Sequence, residues 1–397
     1  MARARKLSSR RVAALTLGLC LAVALAACGV AAPAGGNPAP AGSAVAPAAG
    51  DGGSAGGASA SGGGSASAGA AAPASPGGAT DHLAAPLSPP QTVAVSTVHS
   101  LADAPTLIAA QRGYFDAEGL KVDVVPFGLT SQALSSLGTD QLQVVIGGVN
   151  GALYNQIARG IGVRIVADGG SMAPGYDWQG IAVRQDLLDS GRYKTPADLK
   201  GMKLNEASPA GVSHYYVDLL LQQHGLTADD VDLAELSYPD ALAAFTTKGV
   251  DASALIEPFL SRAETVGAKV VLRSLDISPD IPGAAVLMAP GFIANREASV
   301  RFLVAWLRGV RDYLHAFADP AARAQMIQFL QSNEIDVDAR TQVVTFDPNG
   351  LPPVRPFEAH LTYMEQTGVV TSPVTIDQVI DTSLIREAAQ QLPPYQP

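Results

Sequence analysis

From Thr92 onward, short apolar runs alternate with amphipathic stretches, and this alternation restricts the fold more than any other feature of the chain. Runs at 92–96, 120–127, 142–146 and 163–167 predict strands. Stretches at 104–111, 131–137 and 149–158 predict the helices between them. Parallel neighbours need a crossover connection, so strands spaced by helices imply an α/β fold with a largely parallel sheet. The roughly 300 residues that follow exceed what one core usually holds, so two lobes are expected. Further strands are predicted at 202–205, 233–236, 252–256 and 284–289, with a helix at 240–245. Val212, Tyr215, Tyr216, Leu219 and Leu220 recur with the period of a core-facing helix. Gly225 followed by Leu226 should stop that helix in a Schellman turn. After Asn295 the chain reads as mainly helical, with Val300, Leu303, Leu307, Val310, Leu314 and Phe317 on one stripe and Trp306 packed beside it.

Ahead of this body, residues 28–90 are nearly all Gly, Ala, Ser and Pro, without Lys or Arg. Such a segment buries too little apolar surface to offset its chain entropy. It is expected to act as a tether of roughly 40–50 Å root-mean-square span. The N-terminus carries Arg3, Arg5, Lys6, Arg10 and Arg11, then an apolar run to Ala27 that is short for a bilayer span. That order is the one of an export signal, predicted over 1–27. Leu25-Ala26-Ala27-Cys28 resembles the lipobox of bacterial lipoproteins, which implies cleavage before Cys28 and a lipid on that residue. The expected location is the outer face of the cell membrane. Cys20 is the other cysteine, so the processed chain would hold no disulfide, thiol nucleophile or thiolate metal ligand. Net charge is −10 and becomes more negative once the five basic residues leave, which argues against nucleic acid as a partner.

In open α/β sheets ligands sit beyond the carboxyl ends of the strands, where helices begin and present free N–H groups. Three turns have this character. The first runs from Ser96 to Pro105, the second is Gly147-Gly148-Val149-Asn150-Gly151, and the third spans Asn205 to His214. Ser208 reads as an N-cap with Pro209 at the first helical position. Turns of this kind hold anions, but they also occur in α/β proteins of every function. Tyr176 or Trp178 could stack on a ligand or shield a hinge. His99 and His214 could face each other, yet a metal wants three or four ligands and no further His or Cys is near. No metal and no cofactor is expected.

Over 92–295 the chain resembles the solute-binding proteins of ABC importers for aliphatic sulfonates, taurine, nitrate and thiamine-pyrimidine precursors. The resemblance rests on Arg112-Gly113-Tyr114-Phe115 with Glu118-Gly119-Leu120, on Asp140 to Gly148, on Asp198-Leu199-Lys200-Gly201, and on Val250-Asp251-Ala252 with Glu257-Pro258-Phe259. It implies a type II periplasmic-binding-protein fold, each lobe a mixed, mostly parallel sheet flanked by helices, with the ligand cleft between. Lobe I would comprise 91–188 and 283–397, lobe II 189–282. It implies ligand contacts at Ser96, Leu101 and Asp103, at Gly148, Val149 and Asn150, and at Ser208, Gly211, Val212 and Ser213. Glu257 falls where the family places an acid or amide near the cleft, although it could instead cap the helix after Pro258. Trp178 joins this set as a stacking candidate. No Lys or Arg lies in the three turns, so Asp103, Glu206 and Glu257 could receive donors from a zwitterion, amine or heterocycle.

The role so implied is capture and delivery by a monomer, with a small molecule, an importer permease and the membrane as partners. A ligand-sensing receptor subunit would have the same fold. An enzyme is disfavoured, because HExxH, GxSxG and phosphate-loop motifs are missing, as is the cysteine-rich run of the related pyrimidine-synthesising enzyme.

Overall fold

A computed structural model of the chain describes residues 85–397. The expected export signal at 1–27, Cys28 and all but the last few residues of the expected tether at 28–90 lie outside the described residues. The body contains two five-stranded sheets. The first is built from β1 (Gln91–Thr97), β2 (Leu120–Pro126), β3 (Val144–Gly147), β4 (Arg164–Gly170) and β10 (Ala284–Met288), in the order β2-β1-β3-β10-β4. The second is built from β5 (Gln179–Arg184), β6 (Lys203–Glu206), β7 (Asp232–Glu235), β8 (Ala252–Ile256) and β9 (Ala268–Arg273), in the order β7-β6-β8-β5-β9.

The two sheets repeat one plan. β1 pairs in parallel with β2 and β3, and β6 pairs in parallel with β7 and β8. In each sheet the fourth strand runs the other way: β10 is antiparallel to β3 and β4, and β5 to β8 and β9. Those reversed strands are where the chain enters one lobe from the other. The connections β4 to β5 and β9 to β10 are therefore the two crossings between lobes. The second sheet begins at Gln179, ten residues before the boundary drawn from sequence at 189. A turn at Pro174-Gly175 does precede β5, but the short run from Gly180 to Val183 is not among the strands predicted from sequence. All six of its residues are buried between β8 and β9.

The longer helices are α1 (Ala104–Gln111), α2 (Thr130–Leu137), α3 (Gly151–Ala158), α4 (Val212–Gln223), α5 (Tyr238–Thr246), α6 (Arg296–Ala318), α7 (Pro320–Ser332), α8 (Val354–Gln366) and α9 (Ser383–Gln390). α6 is the spine of the first lobe, packing on α1 and α9 with Phe302, Leu303, Trp306 and Leu307 fully buried. α4 buries Val212, Tyr215, Tyr216, Val217, Leu220 and Leu221, whereas Leu219 of the expected stripe is only half-buried. It ends as a Schellman motif: Leu226 N–H donates to the Leu221 carbonyl (2.8 Å) and Gly225 N–H to Gln222 (3.1 Å). Gly225 is there because its φ of 71° would strain other residues. No helix among the described residues is long and apolar enough to cross a membrane.

Candidate functional site

The parallel strands β1, β3, β6 and β8 all point their carboxyl ends at the space between the sheets, and a cavity of about 60 Å³ lies there. From the first lobe come Val98 and Ser100 after β1, Thr130 and Ser131 at the start of α2, and Gly147 to Asn150 between β3 and α3. From the second come Ser208, Gly211, Val212 and Ser213 before and at the start of α4, with Tyr216, Tyr238, Ala254 and Ile256. Trp178 and Gln179 close it from one crossing, Gly283 and Ala284 from the other.

Helix starts supply the polar part. Asn150 caps α3, its Oδ1 accepting from Leu153 N–H at 3.0 Å. Thr130 begins α2 beside Gly147, where an added Cβ would lie 2.6 Å from the Thr130 hydroxyl oxygen and φ is 156°. The backbone of the second turn thus comes too near α2 for any residue but glycine. The third turn departs from expectation. Ser208 does not cap α4, because Gly211 N–H returns to the Ser208 carbonyl (3.0 Å) and Ala210 takes a φ of 56° that a helix cannot contain. Gly211 is the N-cap, and the helix starts at Val212.

The lobes touch directly across the cleft. Asn150 and Gly211 form an antiparallel bridge, and Gly151 N–H donates to the Ala210 carbonyl at 2.9 Å. α8 reinforces this contact: His360 lies 3.0 Å from the Tyr154 hydroxyl on α3, and Tyr363 donates to Asp218 on α4 at 2.8 Å. Burial drives His360 down to about 3, so it is neutral in this packing.

Among the described residues, no side chain lining the cavity is ionisable as Asp, Glu, Lys, Arg or His. The carboxylates stand behind the wall and face the protein. Asp103, fully buried, accepts from Ser100 N–H (2.8 Å), Val98 N–H (3.3 Å) and the Ser100 hydroxyl, holding the first loop in shape. Burial raises its pKa to about 6 against the pull of those N–H groups. Asp168 does the same at the first crossing, accepting from Gly170 N–H, Asp347 N–H and the Ser171 hydroxyl, and burial raises it to about 6 as well. Asp177 holds Leu275 N–H (2.7 Å) and the Ser274 hydroxyl at the second crossing. Glu257 accepts from Ser261 N–H, the Ser261 hydroxyl, Arg273 and Gln342 N–H. Glu206 pairs with His214 at 3.0 Å.

Of the residues singled out from sequence, Gly148, Val149, Asn150, Trp178, Ser208, Gly211, Val212 and Ser213 line the cavity together. Ser96, Leu101, Asp103 and Glu257 do not. Ser96 is buried in β1 and Leu101 in the core; Asp103 turns Oδ2 to the Val98 and Ser100 donors, with no partner for Oδ1 among the described residues, and Glu257 spends both oxygens on backbone and side-chain donors. The capping alternative for Glu257 matches its bond to Ser261 N–H. His99 and His214 do not meet: His99 lies 3.6 Å from Glu334, and His214 is on Glu206. Tyr176 is exposed. Among the described residues no group of three His, Cys, Asp or Glu is placed to hold a metal. Sequence reasoning missed Thr130, Ser131, Tyr216, Gln179 and Tyr238. For Tyr238 a signal existed, since Ser237-Tyr238-Pro239-Asp240 has the serine, proline and acid of a helix start. Tyr216 was hidden in the core stripe of α4.

The sequence model of the NMT1-like family matches residues 87–331. A Brucella abortus (strain 2308) protein, named as a binding protein, is 24% identical over 212 residues, 52% of this chain and 62% of the relative. The chain thus spans less than two thirds of that relative. Among solved structures, the ligand-binding component of an ABC-type import system from Staphylococcus aureus, with zinc bound, aligns with a TM-score of 0.62 at 12% identity, over 75% of this chain and 99% of that one. The periplasmic aliphatic sulphonate binding protein SsuA of Escherichia coli aligns at 0.54 and 21%, over 73% and 92%. The desulfurization enzyme DSZB also aligns, at 0.54 and 18%, over 76% and 99%. At these identities the likeness speaks for the fold.

Proposed function

The chain belongs to the NMT1-like family, and from that premise we propose that it is an extracytoplasmic solute-binding lipoprotein, anchored through Cys28, that captures a small molecule by lobe closure and delivers it to an ABC importer. The observation that carries this reading is the cavity itself. It sits between two lobes joined by two crossings, takes its polar groups from both, and is spanned by the Asn150–Gly211 bridge. A hinge of this kind opens and closes around a ligand. Among the described residues the lining includes no Cys, His, Asp, Glu or Lys to act as nucleophile or general acid or base, which favours binding over an enzymatic role like that of DSZB.

The same wall narrows the ligand. A cavity of about 60 Å³ holds on the order of four to six water-sized positions, so the solute is small. Helix starts and hydroxyls suit an oxoanion such as a sulfonate, a nitrate or a carboxylate. With no cation to neutralise it, a single negative charge is favoured over two. A thiamine-precursor-like heterocycle fits the polarity less well, since no carboxylate faces the cavity to receive its donors.

A thermal-shift screen of the purified protein tests the reading. A solute at a hundred times its Kd should stabilise the fold by about 2.7 kcal/mol. A hit that weakens in both Ser208→Ala and Asn150→Ala identifies the cargo and the cleft together. A panel of sulfonates, nitrate, carboxylates and heterocycles without a single hit would overturn the reading.

A further inference from the structure

The seam where the lobes meet encloses an ionisable side chain that the cleft wall does not use. His360, on α8, is fully buried. Its Nδ1 lies 3.0 Å from the Tyr154 hydroxyl on α3, and its ring packs edge-on against Tyr215 on α4, with centroids 5.4 Å apart and planes 64° apart. α3 belongs to the first lobe and α4 to the second, so one imidazole is gripped by both. Nε2 has no hydrogen-bond partner among the described residues. In the same seam Gly151 N–H donates to the Ala210 carbonyl, and Asn150 bridges Gly211. Separating α4 from α3 would strip Tyr215 from the ring and admit water to Nε2, so the imidazole stays dry only while the lobes touch.

The surroundings offer nothing to a charged ring. α3 presents the Tyr154 phenol. α4 presents Tyr215, the Gly211 backbone and His214, and the charge His214 carries on Glu206 opposes a second one. On α8 itself Tyr363 commits its hydroxyl to Asp218, while Arg355, Glu358 and Glu365 are exposed. Asp377, on the turn Ile376–Val379 packed against α8, is exposed too. Among the described residues the histidine ion pairs are His99–Glu334 and His214–Glu206, so a proton on His360 would stay uncompensated. Burial accordingly holds its pKa at about 3 in the closed seam, against 6.5 for a solvated imidazole. We propose that His360 is a proton-sensitive latch on the cleft: neutral, it joins the lobes through α3, α4 and α8, and protonated, it takes up water, holds the lobes apart and lets the solute go. The closed form binds the proton less tightly than the open one. Closure is therefore at full strength above pH 6.5 and weakens by about tenfold per pH unit below it. This inference rests on the reading of the two lobes as a clamp that closes on a solute.

Trp178 makes the opening visible without a ligand. The chain has two tryptophans: Trp178 lines the cavity and is 3% exposed, while Trp306 is sealed in the first-lobe core and gives a constant background. Quenching of the full protein by acrylamide is measured from about pH 7.5 down to about 4.5, across the window in which an exposed imidazole gains its proton. Circular dichroism verifies at each pH that the protein stays folded. Quenching in wild type should rise severalfold as pH falls, and His360→Gln, which cannot be protonated, should stay flat. Asp103 and Asp168 titrate in the same window but are present in both proteins, so the difference between the two curves belongs to His360. His360→Phe, which keeps a ring against Tyr215, repeats the test if the glutamine variant does not fold. Flat quenching in wild type, or a rise that survives in the folded variant, overturns the latch and leaves solute binding to the thermal-shift screen. A screen without a hit, beside a rise that His360→Gln abolishes, overturns the solute-binding reading and leaves the opening motion standing.

Discussion

The wall of the cleft and the layer directly behind it are built from opposite chemistries. The wall has hydroxyls, amides, helix starts and aromatic faces, and among the described residues none of the charged side-chain types. Behind it Asp103, Asp168, Asp177, Glu206 and Glu257 are all buried and held by protein donors, on both oxygens except at Asp103, where Oδ1 has no partner among the described residues. The difference separates two tasks. A closing cleft must desolvate its ligand, and an unpaired charge in the wall would make that expensive whenever the cleft is empty. Loops and crossings have backbone N–H groups with no ladder to satisfy them, and a buried carboxylate can hold several at once. In this protein buried negative charge belongs to the scaffold, and neutral donors belong to the site.

The division breaks most visibly, if it is wrong, at Glu257. Glu257→Ala should cost roughly 3–5 kcal/mol in a urea titration, because it strands the Arg273 guanidinium and the donors of Ser261 and Gln342. A variant as stable as wild type but unable to bind solute would return Glu257 to the wall.

Next in size is a pH effect. The pKa values of Asp103 and Asp168 stand at about 6 in the folded chain, above the 3.8 of an unperturbed Asp. The folded state therefore holds their protons more tightly than the unfolded state. Their contribution is fully present below pH 4 and is lost as pH rises from about 4 through 6. Asp103→Asn cannot titrate, so its stability should lack one such share, at most about 3 kcal/mol across that window. His360 slopes the other way. Its folded value of about 3 makes its contribution present above 6.5 and lost as pH falls. Comparing Asp103→Asn with wild type at each pH cancels His360 and isolates the carboxylate.

Asn150 belongs to both regions, since its Oδ1 caps α3 while the residue lines the cavity. Asn150→Ala should lose about 1 kcal/mol of stability for the cap. It should also weaken solute binding, whereas Asp103→Asn should not. Asn150→Asp keeps the cap acceptor and puts a charge in the wall. The cap offsets part of the cost of that charge, and affinity for an anionic solute should fall further than in the alanine variant.

How much of this could be read in the residues follows the same line. The strands of the first lobe were legible because Val144, Val145 and Ile146 are buried on both faces and read as an unbroken apolar run. The glycines and hydroxyls of two of the three turns were legible because strand-to-helix turns present them locally. Asp103 and Glu257 were misplaced because a carboxylate in a turn can face either way, and the donors that capture Glu257 include Gln342, which lies far along the chain. The lobe boundary shifted for a related reason: β5 is defined by β8 and β9, which come much later in sequence. Tyr238 was missed by placing the start of α5 two residues late, which put this wall residue in a loop.

The smallest effect is expected at His214, and it probes the boundary itself, because His214 follows the wall residue Ser213 and pairs with the scaffold residue Glu206. The Glu206 carboxylate raises the His214 pKa above its usual 6.5 despite partial burial. The pair's contribution is thus fully present below pH 6.5 and is lost as pH rises through the higher folded value. His214→Gln should therefore be less stable than wild type at pH 6 by up to about 1 kcal/mol, and the gap should narrow toward pH 9. Solute affinity should not follow that titration, because the charge is directed at Glu206. If the affinity of wild type falls with the His214 titration, and that pH dependence vanishes in His214→Gln, then a titrating charge acts on the bound solute and the wall is not neutral after all.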